Sequence, residues 1–491
     1  MGRKLENREF TSADFEAFNQ RIHQQADRLK SAITQPNFGQ QPPSLGAEIE
    51  IYLLDSHGEV NPVNQQLIDL LGDNQFQTEL NQYNLELNLS PVPAQGTPFS
   101  AMVLEMLDKY QKLLGAARQL DVKPLAIGTL PTMREEKLTG EYMTREGRYR
   151  ALSRELLRRR GQQFEIRING DESLNFTTPE IVVEGANTSM QVHLTAKPEE
   201  FADVFNASQL TLAMSVAMGA NSGVFMHKCL WDETRVALFK QSIDSRIHKD
   251  GSWRPPSRVT FGKGWVRKSA WEVFAETVNL YDPILPQLFD EDPAVDPPVL
   301  AELNLHMGTT WPWNRAIYDH HGNGHLRVEQ RALPAGPSAI DMAANAAFAV
   351  GMISGLKENV DEYLARLPFD YAEYNFYRAA KQSLNASILW PQKYQNKPVE
   401  VAITSAVDEM LRIANDGLSQ LGVELSERDK FLNIIHRRLV TGVNGAIWTK
   451  KTYQHYKKSY SDEKACQLML ERYYEHQYAG EPVAHWEQLW R

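Results

Sequence analysis

Cysteine is nearly absent: the 491 residues hold two, Cys229 and Cys466. Two thiols exclude a disulfide framework and any multi-thiolate metal centre, and so low a count fits a reducing cytoplasm. Basic excess is missing as well. With 52 Lys and Arg against 62 Asp and Glu, the formal charge is −10 and the pI is near 5.8. A nucleic-acid binder presents the opposite, a basic stripe. The N-terminal MGRKLENREFTSADF lacks the apolar run of a secretory signal, and Glu6 stands where a myristoylation signal wants Ser or Thr. The most apolar runs, Leu210–Phe225 and Ala339–Leu356, are interrupted by Ser215 and Asn221 and by Asp341 and Asn345. Both read as buried helices rather than membrane spans. No GxxxxGK[ST] sequence occurs, so a P-loop is not how this chain would hold a nucleoside triphosphate. An internal repeat is missing too.

What is present is a set of strands with one acidic face. In Leu45-Gly46-Ala47-Glu48-Ile49-Glu50-Ile51-Tyr52-Leu53-Leu54, apolar residues alternate with Glu48, Glu50 and Tyr52. That period predicts a half-buried strand with two carboxylates about 7 Å apart. In 84–89, Leu85, Leu87 and Leu89 alternate with Asn84, Glu86 and Asn88, and Glu79 lies seven residues before Glu86. In 189–194, Gln191 and His193 face away from Met190, Val192 and Leu194. In 303–307, Asn304 and His306 alternate with Leu303, Leu305 and Met307, and in 325–332 His325, Arg327, Glu329 and Arg331 share a face. Between these run helical patterns. One spans 12–33 behind the capping-box spacing Thr11-x-x-Asp14, one is capped by Ser100, and others cover 205–220 and 339–356. The run Arg158-Arg159-Arg160 reads as a solvated helix face, and 249–268, rich in Gly, Trp and Arg, as a long loop.

Five such strands predict an α+β fold. One mostly antiparallel sheet has helices packed on its apolar face and a polar concave face lining a cavity. The length allows two or three domains. Residues 1–350 read as the catalytic domain and 351–491 as a mainly helical C-terminal region packed on it. Solvated strands favour Thr, Lys and Ser. Here carboxylates, amides and imidazoles prevail, and lysine is absent from all five. Like charges this close need a cation between them. Oxygen donors with one imidazole suit a hard cation, Mg²⁺ or Mn²⁺, better than zinc or copper. Polyphosphate is the natural partner, and Arg331 beside Glu329 would face a phosphoryl oxygen.

The segments LGAEIEIYLLD, NLELNLSP, SMQVHL, ANSGVF and LRVEQRALPAGPS, in that order from about residue 45 to 350, resemble the glutamate–cysteine ligase type 2 family. That family belongs to the carboxylate–amine ligases of glutamine-synthetase-like fold. The resemblance implies an ATP- and Mg²⁺-dependent enzyme of glutathione biosynthesis that joins glutamate to cysteine through a γ-glutamyl phosphate. It places Glu48, Glu50, Glu86 and Glu329 at metal-binding carboxylates, His193 at a metal-facing histidine and Glu79 at a more loosely matched acidic ligand. Arg331 falls on the arginine that contacts the phosphate or glutamyl group, and Arg235 on a substrate-binding arginine. Glu329 and Arg331 are thus the catalytic candidates, and Gln191, Asn221, Arg235 and Arg258 the candidates for substrate or ATP. Loop 249–268 would be the lid that keeps water from the acyl phosphate.

Two departures bear on the substrate. The family often has Asn-Ser-Pro where this chain reads Asn221-Ser222-Gly223, and Leu-Phe-Pro-x-x-Arg where it reads Thr310-Trp311-Pro312-Trp313-Asn314-Arg315. They keep open a different acid or amine. An inactive nucleotide-binding scaffold is a further alternative, and a two-carboxylate glycosidase ranks last because it needs no extra acids, histidine or arginine. Gln191 stays open between ligand contact and structural hydrogen bond, and His306 and His325 have no assigned part.

Overall fold

Alternating apolar residues at 45–53 build the central strand. The computed structural model describes residues 9–246, 255–290, 295–392 and 395–490, and in it β1 (Ser44–Leu54) buries Leu45, Ala47, Ile49, Ile51 and Leu53 while Glu48 and Glu50 stay half-buried on the other face. The other strands that matter to the site are β2 (Phe76–Thr78), β3 (Asn84–Asn88), β4 (Met190–Ala196), β5 (Asn314–Asp319) and β6 (His325–Gln330). They form the path β5-β6-β4-β1-β3-β2, antiparallel throughout, and two short strands, Val92–Pro93 and Lys123–Leu125, pair with the ends of β1. Helices Phe201–Gly219 and Ala339–Leu356 pack on the apolar face. Ala339–Leu356 is long and apolar enough to cross a membrane, yet it is almost wholly enclosed by protein. The α+β architecture expected from the strand pattern, a mostly antiparallel sheet with helices on its apolar face, is the one observed.

Several local expectations change. The segment 303–307 is not a strand but the end of a helix, Ala301–Met307. Glu302, Leu303, His306 and Met307 are buried, a three-to-four spacing that a five-residue alternation cannot be told from. His306 accordingly turns away from the sheet, its Nε2 lying 3.2 Å from Thr277 O. Ser100 is not a cap. Its helix begins at Pro98, which has no N–H to leave unpaired, and the Ser100 hydroxyl donates to Glu427 at 2.7 Å. In the arginine run, Arg158 is exposed and paired with Glu155, but Arg160 is buried and donates to Gln163 O at 2.9 Å. The capping box holds as expected, Thr11 N–H donating to Asp14 at 2.7 Å. Of the loop 249–268, residues 249–254 lie outside the described residues. The remainder is pinned, by pairing of Val259–Thr260 with Trp311–Pro312 and by a 2.8 Å bond from Val266 N–H to Asn206.

The C-terminal region is helical apart from a hairpin, Ser387–Trp390 with Val399–Ala402. It shares both cores with the residues before it. Phe376, Trp390, Met410 and Phe431 belong to the large core, while Trp448, Tyr473 and Trp486 join Tyr52 and Leu125 in a second one. Helix Ile403–Gln420 approaches Ala339–Leu356 so closely that a Cβ on Gly417 would sit 2.1 Å from Gly351 O. Overpacking of this kind costs roughly 1–3 kcal/mol. Gly417→Ala should therefore lower the thermal midpoint and the denaturation midpoint together despite alanine's better helix propensity; a midpoint equal to or above the parent's would refute the contact.

Candidate active site

Antiparallel register brings the acidic residues onto one floor, because cross-strand partners point to the same face. Glu50 lies opposite Glu86 and Glu48 opposite Asn88 on β3. On its other side Glu48 faces Gln191, and Gly46 faces His193. Glu329 is paired with His193 across β6–β4 and with Arg315 across β5–β6. Glu79, from the loop between β2 and β3, comes in beside Glu86 and Glu50. Glu48, Glu50, Glu79, Glu86 and Gln191 line a cavity of about 720 Å³, whose walls also carry Arg148, Tyr149, Glu184, Arg315 and Arg331.

Two donor groups stand side by side. Glu48, His193 and Glu329 can each offer one ligand atom within 4.8 Å of the others, and so can Glu50, Glu79 and Glu86. His193 Nε2 is 3.2 Å from Glu48 and 3.7 Å from Glu329, while its Nδ1 accepts from Arg327 Nε at 3.1 Å. A neutral imidazole has one lone pair, so that acceptor role and ligation through Nε2 are alternatives. Arg315 grips Glu329 from one side at 2.6 Å and Arg331 from the other at 3.0 Å. Arg331 Nη1 also donates to Gln191, whose amide in turn donates to Glu50 at 3.1 Å. Ser189 completes the hold on Glu50 through its N–H at 2.7 Å and its hydroxyl at 3.0 Å.

The two groups differ in charge state. Burial would raise Glu329, but Arg315, Arg331 and His193 outweigh it and hold the carboxyl far below its ordinary range. Glu48 is likewise lowered, His193 and Arg331 overcoming burial. On the other side burial wins. Glu86 is pushed up to about 7 by burial and by Glu48 and Glu50, and Glu184 to about 8 by burial and Glu50. Glu50 is raised by burial against the pull of Arg235 and Arg331, and Glu79 well above its usual value by burial, Glu86 and Glu50. Carboxylate oxygens with a single imidazole are the donor set a hard cation prefers. The donors present therefore fit Mg²⁺ or Mn²⁺.

Of the residues singled out in the sequence, Glu48, Glu50, Glu79, Glu86, Gln191, His193, Glu329 and Arg331 are brought together here. Three others are not. Arg235 is buried behind the floor, donating to Ala332 O at 3.1 Å and Arg331 O at 3.3 Å beside its partner Glu233. Asn221 is fully buried, its amide donating to Ala335 O and to Tyr473, both at 2.7 Å. Arg258 is turned into the protein, donating to Thr309 O at 3.0 Å and lying over Tyr281. Arg235 and Asn221 instead hold the backbone of the segment that carries Arg331. Sequence reading passed over Arg315, Glu184, Arg148 and Tyr149. Arg315 had a signal, since Arg315, Ile317 and Asp319 alternate with the buried Ala316 and Tyr318. Glu184 had none, because it sits in a 3-10 turn, Ile181–Ala186, with no period to read.

The fold is similar to that of a glutamate–cysteine ligase (gshA) from Francisella tularensis in complex with AMP, at 12% identity and a TM-score of 0.52, covering 91% of this chain and 96% of that one. A bifunctional glutathione synthetase from Pasteurella multocida aligns at 11% identity and a TM-score of 0.47, over 93% of this chain and 55% of that one. A comparison with curated protein sequences gave no match. Glutamate-cysteine ligase family 2 (GCS2), by contrast, matches residues 44–467, from the first residue of β1 deep into the C-terminal helices. The chain belongs to glutamate-cysteine ligase family 2, and it is a ligase of the carboxylate–amine type.

Proposed function

We propose that this ligase couples ATP cleavage to a γ-glutamyl amide bond, with glutamate as the acid and cysteine as the first candidate for the amine, a reaction of glutathione biosynthesis. The observation that supports this reading best is the floor itself: a guanidinium-neutralised half beside a half of carboxyls whose ionisation is suppressed. Magnesium or manganese held by Glu48, His193 and Glu329 and by Glu50, Glu79 and Glu86 would neutralise triphosphate charge there. Arg331 is fixed by Glu329 and Gln191 through Nη1, leaving the rest of its guanidinium to a phosphoryl oxygen as charge builds. The glutamate γ-carboxylate attacks the terminal phosphorus and ADP leaves. The amine then attacks the acyl phosphate and phosphate departs. Gln191 and Ser189 keep Glu50 aimed at the floor throughout. A different amine remains the second reading, because Phe274, Leu285, Met307 and Trp311 give the cavity an apolar wall that would take a larger side chain.

Turnover is read as ADP release with glutamate, ATP and Mg²⁺, amines being supplied one at a time. Cysteine should stimulate it. Stimulation by another amine alone would replace cysteine, and ATP binding without stimulation by any would favour an inactive scaffold. Glu50→Ala and Glu329→Ala should each cut turnover by roughly a hundredfold or more with the circular dichroism spectrum unchanged; full activity in either would remove the metal assignment. Metal-free stability has its own signature. Carboxyls raised to about 7 and about 8 in the fold, against 4.5 for the free group, keep protons that the unfolded chain has lost. Their contribution is complete below pH 4.5 and is lost as pH climbs through 7 and 8. Glu48 and Glu329, lowered, change nothing in that window. The thermal midpoint of the metal-free protein should thus fall from about pH 5 to pH 8, less steeply in Glu86→Gln, and Mg²⁺ should restore more of it at the higher pH. Equal slopes in parent and variant would overturn the assignment.

A further inference from the structure

The turn between β5 and β6 carries a donor set unlike the floor's. Asp319 ends β5 and lies opposite His325, which opens β6; His320 and His321 follow Asp319 into the turn. Asp319 Oδ1 accepts from the His321 backbone N–H at 2.9 Å and faces His321 Nδ1 at 2.6 Å. Arg327 Nη1 lies 3.4 Å from its other oxygen, and a carboxylate can only accept. His321 Nδ1 is therefore the donor, and in the neutral ring Nε2 keeps its lone pair. A divalent ion bound between Asp319 and His321 would take the place of the proton that the ring now gives the carboxylate. The His320 ring lies alongside, 4.3 Å between centroids. Asp319, His320 and His321 can each offer one ligand atom within 4.8 Å of the other two.

The turn is held in shape by its surroundings. Gly322 and Gly324 take φ of 63° and 72°, Gly324 O accepts from Gly39 N–H at 3.1 Å, and Phe38 stacks on Tyr318 at 5.8 Å. A Cβ on Gly324 would collide with Phe38. His325 is not part of the donor set, because Arg327 Nη1 covers its Nε2 at 3.2 Å. From Glu329 to His325 is four residues of strand, about 13 Å, and Arg327 stands between the two groups. His320 also lines the cavity, so the turn sits at the cavity's rim.

We propose that Asp319, His320 and His321 form a second cation site at this rim, separate from the acidic floor and suited to a borderline divalent ion of the zinc class. Two imidazoles with one carboxylate favour Zn²⁺, Co²⁺ or Ni²⁺, whereas Mg²⁺ wants oxygen and keeps its waters. Three protein donors leave a fourth position for water.

Co²⁺, whose visible bands report imidazole coordination, is the probe, titrated into the full-length protein in a large excess of Mg²⁺, with Zn²⁺ binding counted by equilibrium dialysis. The parent should hold one more tightly bound equivalent than His320→Ala/His321→Ala. In Asp319→Asn, where the carboxylate ligand is lost, that equivalent should bind at least roughly tenfold more weakly. The His321 side chain is 79% exposed, so the histidine variant keeps its fold, and an unchanged thermal midpoint without metal checks this. Equal stoichiometry and affinity in parent and histidine variant would overturn the site, as would complete displacement of Co²⁺ by Mg²⁺.

Discussion

Mutual repulsion among carboxylates, imposed by strand register, is the constraint around which this protein is built. Glu48 and Glu50 are two residues apart on β1, and antiparallel pairing sets Glu86 directly opposite Glu50. Nothing in the backbone lets these side chains separate, since slipping any strand by one residue would bury the acids and expose the leucines. Apolar burial on one face therefore enforces crowding on the other. The large core supplies the force: Ile49, Leu85, Leu87, Met190, Val192 and Val328 are all essentially inaccessible to solvent.

The protein relieves that crowding unevenly. Around Glu329 it uses its own cations, Arg315 and Arg331, and the carboxyl stays ionised. Around Glu79, Glu86 and Glu184 it supplies no comparable guanidinium pairing among the described residues, and burial suppresses ionisation. Under the proposed reaction the first half would stabilise negative charge that develops on a phosphoryl group. The second is left needing positive charge from outside. The proposed reaction, with a cation entering beside the substrate and an amine following, would gain from that asymmetry at the cost of a less stable empty state.

Much of the floor was legible in the sequence because period-two alternation maps directly onto strand faces. It fails where a pattern is short. Leu303, Leu305 and Met307 alternate over five residues, yet burial of Glu302, Leu303, His306 and Met307 shows a helix. Three candidate substrate contacts also fell elsewhere, because a sequence motif records that a residue is needed without saying what for. Arg235, Asn221 and Arg258 are spent on backbone carbonyls. Arg315 and Glu184 were missed for opposite reasons: one sat in a segment read for substrate choice, and the other in a turn with no period.

The placement of Asn221 and Arg235 explains why the C-terminal helices belong to the same unit as the floor. Arg331 lies just beyond β6, where ladder hydrogen bonds no longer fix it, although its own N–H still donates to Trp313 O at 2.9 Å. The residues after it are held one by one. Arg235 takes the carbonyls of Arg331 and Ala332, and Asn221 that of Ala335. Tyr473, bonded to Asn221, also donates to Ala126 O at 3.0 Å, and Gln477 donates to Pro337 O. Tyr473 and Gln477 lie on helix Asp462–Ala479, more than a hundred residues downstream. The Arg331 guanidinium, which the proposed reaction would set against a phosphoryl oxygen, is thus positioned by the far end of the chain. This gives a physical reason for a family match that runs well past the last floor strand to residue 467.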